Sequence, residues 1–121
     1  MLENMNTDCL FCNISKKLIP STVIFENEYV FAFEDIKPSA PIHILVVPKI
    51  HIESINDITD TNSEYIAKIF ESIPDIAKKA NIFNDGYRVI SNVGENGGQV
   101  IKHLHFHVIG GKKLGQKIVH D

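Results

Sequence analysis

The residues with the greatest chemical capacity lie in one stretch, Gly97 to Val108, which reads GGQVIKHLHFHV. Three of the chain's six histidines, His103, His105 and His107, alternate there. Successive side chains of a strand point to opposite faces. The spacing therefore sets three imidazoles on one face and Leu104, Phe106 and Val108 on the other. The apolar face must pack on the core, which turns the imidazole face toward a cleft or solvent. Two chemistries suit such a face. A metal could take neutral imidazole as a ligand, or one ring could attack a substrate while its neighbours orient it. Gly94, Gly97 and Gly98 precede the strand. Glycines let backbone N–H groups converge on an anion, so beside three imidazoles they favour a phosphate over a metal.

The chain's two cysteines, Cys9 and Cys12, form a C-x-x-C pair. In a reducing compartment this spacing suggests a metal or redox pair more than a structural disulfide. Two cysteines are half of a four-ligand zinc site, and two further ligands must come from elsewhere. Two buried thiols are the plainer alternative. A redox pair lacks the βαβ context of thioredoxin-like proteins.

Positioning these groups requires a core, and 121 residues suffice for a single domain. Residues 1–8 are polar and read as loose. Cys9 to Leu18 reads as a short helix ended by Pro20. Thr22–Glu26 and Tyr29–Glu34 read as strands of a hairpin turning at Asn27-Glu28. Asp35 to Pro41 is a proline-set loop, and Ile42 to Val47 is a near-continuous apolar run, read as a central strand stopped by Pro48. Thr61 to Glu64 fits a capping box, and Ile66, Ile69, Phe70, Ile73, Ile76, Ala77 and Ala80 share one helical face. This predicts a helix over about 62–81, kinked or split by Pro74. Gly86–Ser91 and His103–Ile109 complete five strands around the loop Asn92–Gln99. The order indicates an α+β fold with a mainly antiparallel sheet, one long helix and one short one.

Composition narrows the function classes. The formal net charge is −3 and no Lys/Arg-rich run occurs, so nucleic acid is not an expected partner. No segment approaches the roughly 20 apolar residues of a membrane span. The first residues lack a basic segment followed by an apolar core, so a cytoplasmic location is expected.

The motifs resemble those of the histidine triad family of nucleotide hydrolases and transferases. His103-Leu104-His105-Phe106-His107-Val108-Ile109 matches its alternation of histidine with apolar residues. Phe33 to Ile52, FEDIKPSAPIHILVVPKIHI, is similar to its D-I-x-P-x-A-P-x-H-x-L-V-x-P-K-x-H-I segment. DCLFCNI, IPSTVIFEN, GYRVISNVGENGGQ and GGKKLG extend the likeness from about residue 8 to 115. The resemblance implies a five-stranded antiparallel sheet that continues across a homodimer. It also implies a purine nucleoside monophosphate ligand, cleaved from a phosphoramidate through a nucleotidyl-histidine.

By the same resemblance His105 is the nucleophile, its proton held by the carbonyl of His103. His107 donates to the phosphate or leaving group, and His43 supports the triad. Asp35 binds ribose hydroxyls; Asn92, Gly98 and Gln99 lie on the phosphate side. Leu10, Phe11, Ile14, Phe33 and Ile36 form the base pocket. Cys9, Cys12, His51 and His103 match a structural zinc site of several bacterial members, and catalysis needs no cofactor. The chain departs from the family at Val100, where many phosphoramidases carry a serine, and at Lys102, often aromatic. Its end, LGQKIVHD, resembles bacterial members rather than the tryptophan-containing tail of eukaryotic ones. Two other functions fit the family: hydrolysis of dinucleoside polyphosphates, and non-catalytic nucleotide sensing.

Overall fold

The computed structural model describes residues 9–116. The expectation that residues 1–8 are loose lies outside the described residues, as does the end of the C-terminal segment. Helix α1 (Leu10–Ser15) is shorter than the predicted Cys9–Leu18. Cys9 is its N-cap, its Sγ accepting from the Cys12 N–H at 3.2 Å. Pro20 does not end the helix. Lys17 ends it by turning left-handed at φ 65°, while the Lys17 and Leu18 amides donate back to the carbonyls of Ile14 and Asn13.

Strands β1 (Val23–Glu26), β2 (Val30–Glu34), β3 (Ile42–Pro48), β4 (Tyr87–Ile90) and β5 (Phe106–Gly110) form one antiparallel sheet ordered β1-β2-β3-β5-β4. The predicted turn at Asn27-Glu28 is present. The Asn27 Oδ1 accepts from the amides of Tyr29 and Val30 at 2.8 and 2.9 Å and folds the hairpin. Helix α2 spans Ser63–Lys79.

The sheet is covered on both faces, which explains the continuous apolar runs of β2 and β3. One face carries Val30, Ala32, Ile44, Val46, Phe106 and Val108, packed under Ile69, Ile73, Ile76 and Ala77 of α2. Leu104, just before β5, joins that cluster. The other face carries Phe31, Phe33, Leu45 and Val47 under Phe11 and Ile14 of α1. The apolar side of the histidine stretch thus packs under α2, as its pattern predicts.

Three expectations need correction. The capping box at Thr61–Glu64 does not form. Asn62 is the N-cap, and its side chain instead bonds the Thr59 amide (2.8 Å) and the Asp57 carbonyl (3.1 Å). A capping box forms earlier, between Ser54 and Asp57, at a 3₁₀ turn over Ile55–Asp57. Helix α2 runs unbroken through Pro74. Pro74 and Phe70, whose carbonyl loses its partner, are both exposed, so water can replace the missing bond. The fifth strand begins at Phe106, not His103. Backbone groups of residues 103–105 are engaged elsewhere: the Leu104 amide donates to the Ile52 carbonyl, and the carbonyls of His103 and His105 accept from side chains.

Ile76 is fully buried between helix and sheet, whereas Ile36 is 91% exposed. Ile76→Ala is expected to cost about 2–5 kcal/mol in chemical denaturation. Ile36→Ala should change stability by less than about 0.5 kcal/mol.

Candidate active site

The sheet register brings the histidines together. His107 on β5 lies opposite Leu45 on β3, so the two share a face. His43, two residues before Leu45, is on that face as well and meets His107 diagonally. Their rings are 5.1 Å apart, and those of His105 and His107 are 5.0 Å apart. The rings do not all turn toward solvent, as the strand pattern alone suggests. His103 is 1% and His105 6% exposed, because α1 covers them, and only His107 is partly open.

Backbone partners determine which nitrogen of each ring carries the proton. A carbonyl can only accept, and an amide N–H can only donate. The His105 Nδ1 lies 2.7 Å from the His103 carbonyl, so Nδ1–H donates and Nε2 keeps its lone pair. The His103 Nε2 lies 3.2 Å from the Pro48 carbonyl, so Nε2–H donates and Nδ1 is bare. The Ser39 amide donates to the His43 Nδ1 at 3.0 Å, which leaves the His43 proton on Nε2. That Nε2–H faces the His107 Nδ1 at 2.9 Å, so the proton of neutral His107 sits on Nε2. Burial pushes the His103 and His107 pKa values down to about 4 and lowers that of His105. For His107, the neighbouring imidazoles add to the effect. All three triad rings are therefore neutral near pH 7.

Asp35 plays the turn role that its sequence context suggests. Its Oδ1 accepts from the Lys37 amide at 2.8 Å, while Oδ2 lies 3.4 Å from the His43 Nε2. Asp35, His43 and His107 lie close enough to share a cation. Hydrogen bonds claim the His43 ring instead: its Nε2–H faces the His107 Nδ1, and its one lone pair, on Nδ1, accepts from the Ser39 amide.

Cys9, Cys12, His51 and His103 form a second cluster, with ligand atoms all within 4.8 Å of one another. The bare His103 Nδ1 lies 3.1 Å from the Cys9 Sγ, 3.3 Å from the Cys12 Sγ and 3.2 Å from the His51 Nδ1. The Cys12 Sγ is also 3.3 Å from the His51 Nδ1. One lone pair cannot satisfy three donors at once, whereas four lone pairs converging on a point suit a cation. Tetrahedral zinc on two sulfurs and two imidazoles would set its ligand atoms about 3.3–3.8 Å apart, close to what is seen. The Pro48 carbonyl holding the far nitrogen of His103 is the usual outer support of a ligating imidazole. Burial, and then the neighbouring Cys9, push the Cys12 thiol up to about 12. A bound cation reverses that cost by stabilising thiolate.

The glycine loop is braced from within. The Asn92 Nδ2 donates to the Gly97 carbonyl at 2.7 Å. The Gln99 Oε1 accepts from the Gly94 amide at 2.9 Å, and its Nε2 donates to the carbonyls of Glu53 (2.7 Å) and Ile101 (3.1 Å). Both amides thus shape the loop rather than project from it. Gly98 adopts φ +80°, and a Cβ on Gly97 would stand 2.2 Å from the Val93 carbonyl oxygen. Of the apolar residues expected around a base, Phe11 and Phe33 pack edge to face at 5.6 Å inside the core. Ile14 is buried with them, Leu10 is 40% exposed, and Ile36 stands outside the cluster.

Sequence reasoning missed Ser91, whose hydroxyl donates to the His105 carbonyl at 2.8 Å. Its place at the end of β4, beside the triad, was a usable signal. The backbone groups of Ser39, Pro48 and Glu53 leave no side-chain signature.

The HIT domain model matches residues 16–114. The chain belongs to the HIT family. A relative in Escherichia coli (strain K12), named purine nucleoside phosphoramidase, is 36% identical over 96% of this chain and 98% of that protein. Among solved structures, a histidine triad protein from Clostridium difficile is similar with a TM-score of 0.89 and 46% identity, over 93% of this chain and 97% of that one. A HIT family hydrolase from Clostridium thermocellum gives a TM-score of 0.90 at 40% identity, with the same coverage. The match to the family model begins after Cys12, while the alignment with the Escherichia coli relative takes in 96% of the chain.

Gly97→Ala is expected to open the loop, with the Gly94 amide exchanging about 10-fold faster or more as its bond to Gln99 is lost. Asn96→Ala, exposed next door, should leave that rate within about twofold.

Proposed function

We propose that this HIT protein hydrolyses purine nucleoside 5′-phosphoramidates through a nucleotidyl-histidine on His105. The observation that carries the reading is the 2.7 Å bond from the His105 Nδ1–H to the His103 carbonyl. It leaves Nε2 bare on a neutral ring. That is the form of imidazole that attacks phosphorus.

In the first step the His105 Nε2 bonds the α-phosphorus and the P–N bond to the leaving amine breaks. The departing nitrogen takes a proton from solvent and leaves as the neutral amine, while the His107 Nε2–H donates a hydrogen bond to the phosphate or leaving group. In the second step water attacks the phosphorus and returns a proton to solvent. The P–Nε2 bond breaks, returning neutral His105 and releasing the nucleoside monophosphate. His43 holds the far nitrogen of His107 through both steps. Asp35 receives ribose hydroxyls on the carboxylate that its turn presents. Gly98 and the loop braced by Asn92 and Gln99 bound the phosphate side. Phe11, Phe33 and Ile36 bound the base side. The relative named purine nucleoside phosphoramidase supports this substrate class.

The cluster Cys9, Cys12, His51 and His103 is read as a structural zinc site. Zinc there would tie α1 to the triad stretch and take no part in bond breaking. The chain is also read as a cytoplasmic homodimer, supported by β4 at an edge of the sheet and by half-exposed Phe70 and Phe83.

Adenosine 5′-phosphoramidate should turn over at least ~10³ faster with the wild type than with His105→Ala, the scale of losing a nucleophile. Equal rates would remove the hydrolase reading, and faster cleavage of diadenosine polyphosphate would redirect it. Metal analysis should find about one zinc per chain, lost in Cys12→Ser; less than half of that in metal-replete protein rules out the site. A monomer mass at micromolar concentration would rule out the dimer.

A further inference from the structure

The two cysteines flank the residue that touches the proposed nucleophile. In Cys9-Leu10-Phe11-Cys12 the Phe11 ring stands edge-on to His105, with centroids 4.9 Å apart at 80°. The same ring meets His103 at 6.1 Å and 76°. Phe11 is only 5% exposed, so it forms the wall of the histidine pocket on that side.

Helix α1, which carries Phe11, has six residues, too few to persist on helix propensity alone. Its placement depends on what holds it to the sheet. Apolar burial of Phe11 and Ile14 is one tie, and the approach of Cys9 and Cys12 to His51 and His103 is the other. The second tie reaches His105 by two routes. One runs through Phe11, which the cysteines straddle. The other runs through His103, whose ring Nδ1 faces both sulfurs and whose carbonyl holds the His105 proton. A His105 ring free to rotate about its terminal torsion would lose the carbonyl bond and the edge-on contact together.

We infer that the Cys9–Cys12 arm is a metal-set clamp on the His105 ring, with Phe11 as a positioning residue. The inference rests on the zinc reading and on His105 as nucleophile. A cation on the four ligands seats Phe11 against His105 and fixes the carbonyl of His103. Without the cation the arm loosens, and the His105 proton is no longer confined to Nδ1. Hydrolysis is thereby linked to metal supply through the Cys9–Cys12 segment.

The test uses the full chain with ring-¹⁵N histidine and reads the His105 tautomer by NMR without substrate. Zinc-loaded wild type should show one tautomer, with the proton on Nδ1. Chelator-stripped wild type and Phe11→Ala should show averaged nitrogen shifts, and Phe11→Leu a partial return toward the loaded pattern. With substrate, stripping should lower kcat about 10-fold or more and change KM less than about threefold, as expected of misplaced geometry, and Phe11→Ala should lower kcat on the same scale.

A single Nδ1–H tautomer in the stripped protein overturns the clamp, as does wild type that takes up no zinc. Loss of amide protection across β2, β3 and β5 on stripping also overturns it, because the clamp acts locally. Should Phe11→Ala fail to fold, the stripped wild type decides. The tautomer is read without turnover, so an inactive protein with a zinc-dependent tautomer would keep the clamp and reject the hydrolase reading alone.

Discussion

One hydrogen bond organises the site: the His105 ring Nδ1–H donating to the carbonyl of His103, two residues before it. It is short and buried, and it spends a carbonyl that a regular strand would give to its ladder. The strand therefore starts three residues later than its sequence pattern indicates. The other supports follow from that interruption. The His105 carbonyl is taken by Ser91, and the Leu104 amide by Ile52. Leu104, Phe106 and Val108 anchor the stretch under α2, so the imidazole side has little freedom to shift.

Around that bond, backbone groups rather than acidic side chains choose the tautomers. Pro48 fixes His103, Ser39 fixes His43, and His43 in turn fixes His107. Backbone partners cannot titrate. A carbonyl therefore favours the same tautomer wherever the imidazole is neutral, and burial lowers the pKa values of the three triad rings. The result is a bare nitrogen on His105 beside an N–H donor on His107. The same logic separates the two clusters of potential ligands. At His43 the one lone pair and the one N–H are both committed to hydrogen bonding. At His103 the backbone takes the far nitrogen and leaves the near one aimed at two thiols and an imidazole.

Much of this was legible in the sequence because it follows from periodicity. The strict alternation after Lys102 separated a core face from a chemical face. The near-continuous apolar run Ile42–Val47 marked a central strand, and it is the centre of the sheet. The Cys-x-x-Cys pair and His51 are separated by some forty residues, and only the resemblance to relatives joined them; the fold does bring them together. What was not legible depends on backbone hydrogen bonds. Thr61–Glu64 has the composition of a capping box, yet Asn62 is drawn to Asp57 and Thr59. Pro20 looked like the end of the first helix, yet Lys17 ends it with a left-handed turn. Ile36, a base-pocket residue by resemblance alone, stands exposed after the turn set by Asp35.

The central claim is that the reaction passes through a covalent bond from the His105 Nε2 to phosphorus. The most direct measurement is rapid acid-free quenching during turnover of a purine nucleoside phosphoramidate, followed by intact-mass and peptide mapping. A transient nucleoside monophosphate adduct is expected, confined to the peptide that contains His105. Full turnover with no adduct at any quench time, or an adduct on a different residue, would contradict it.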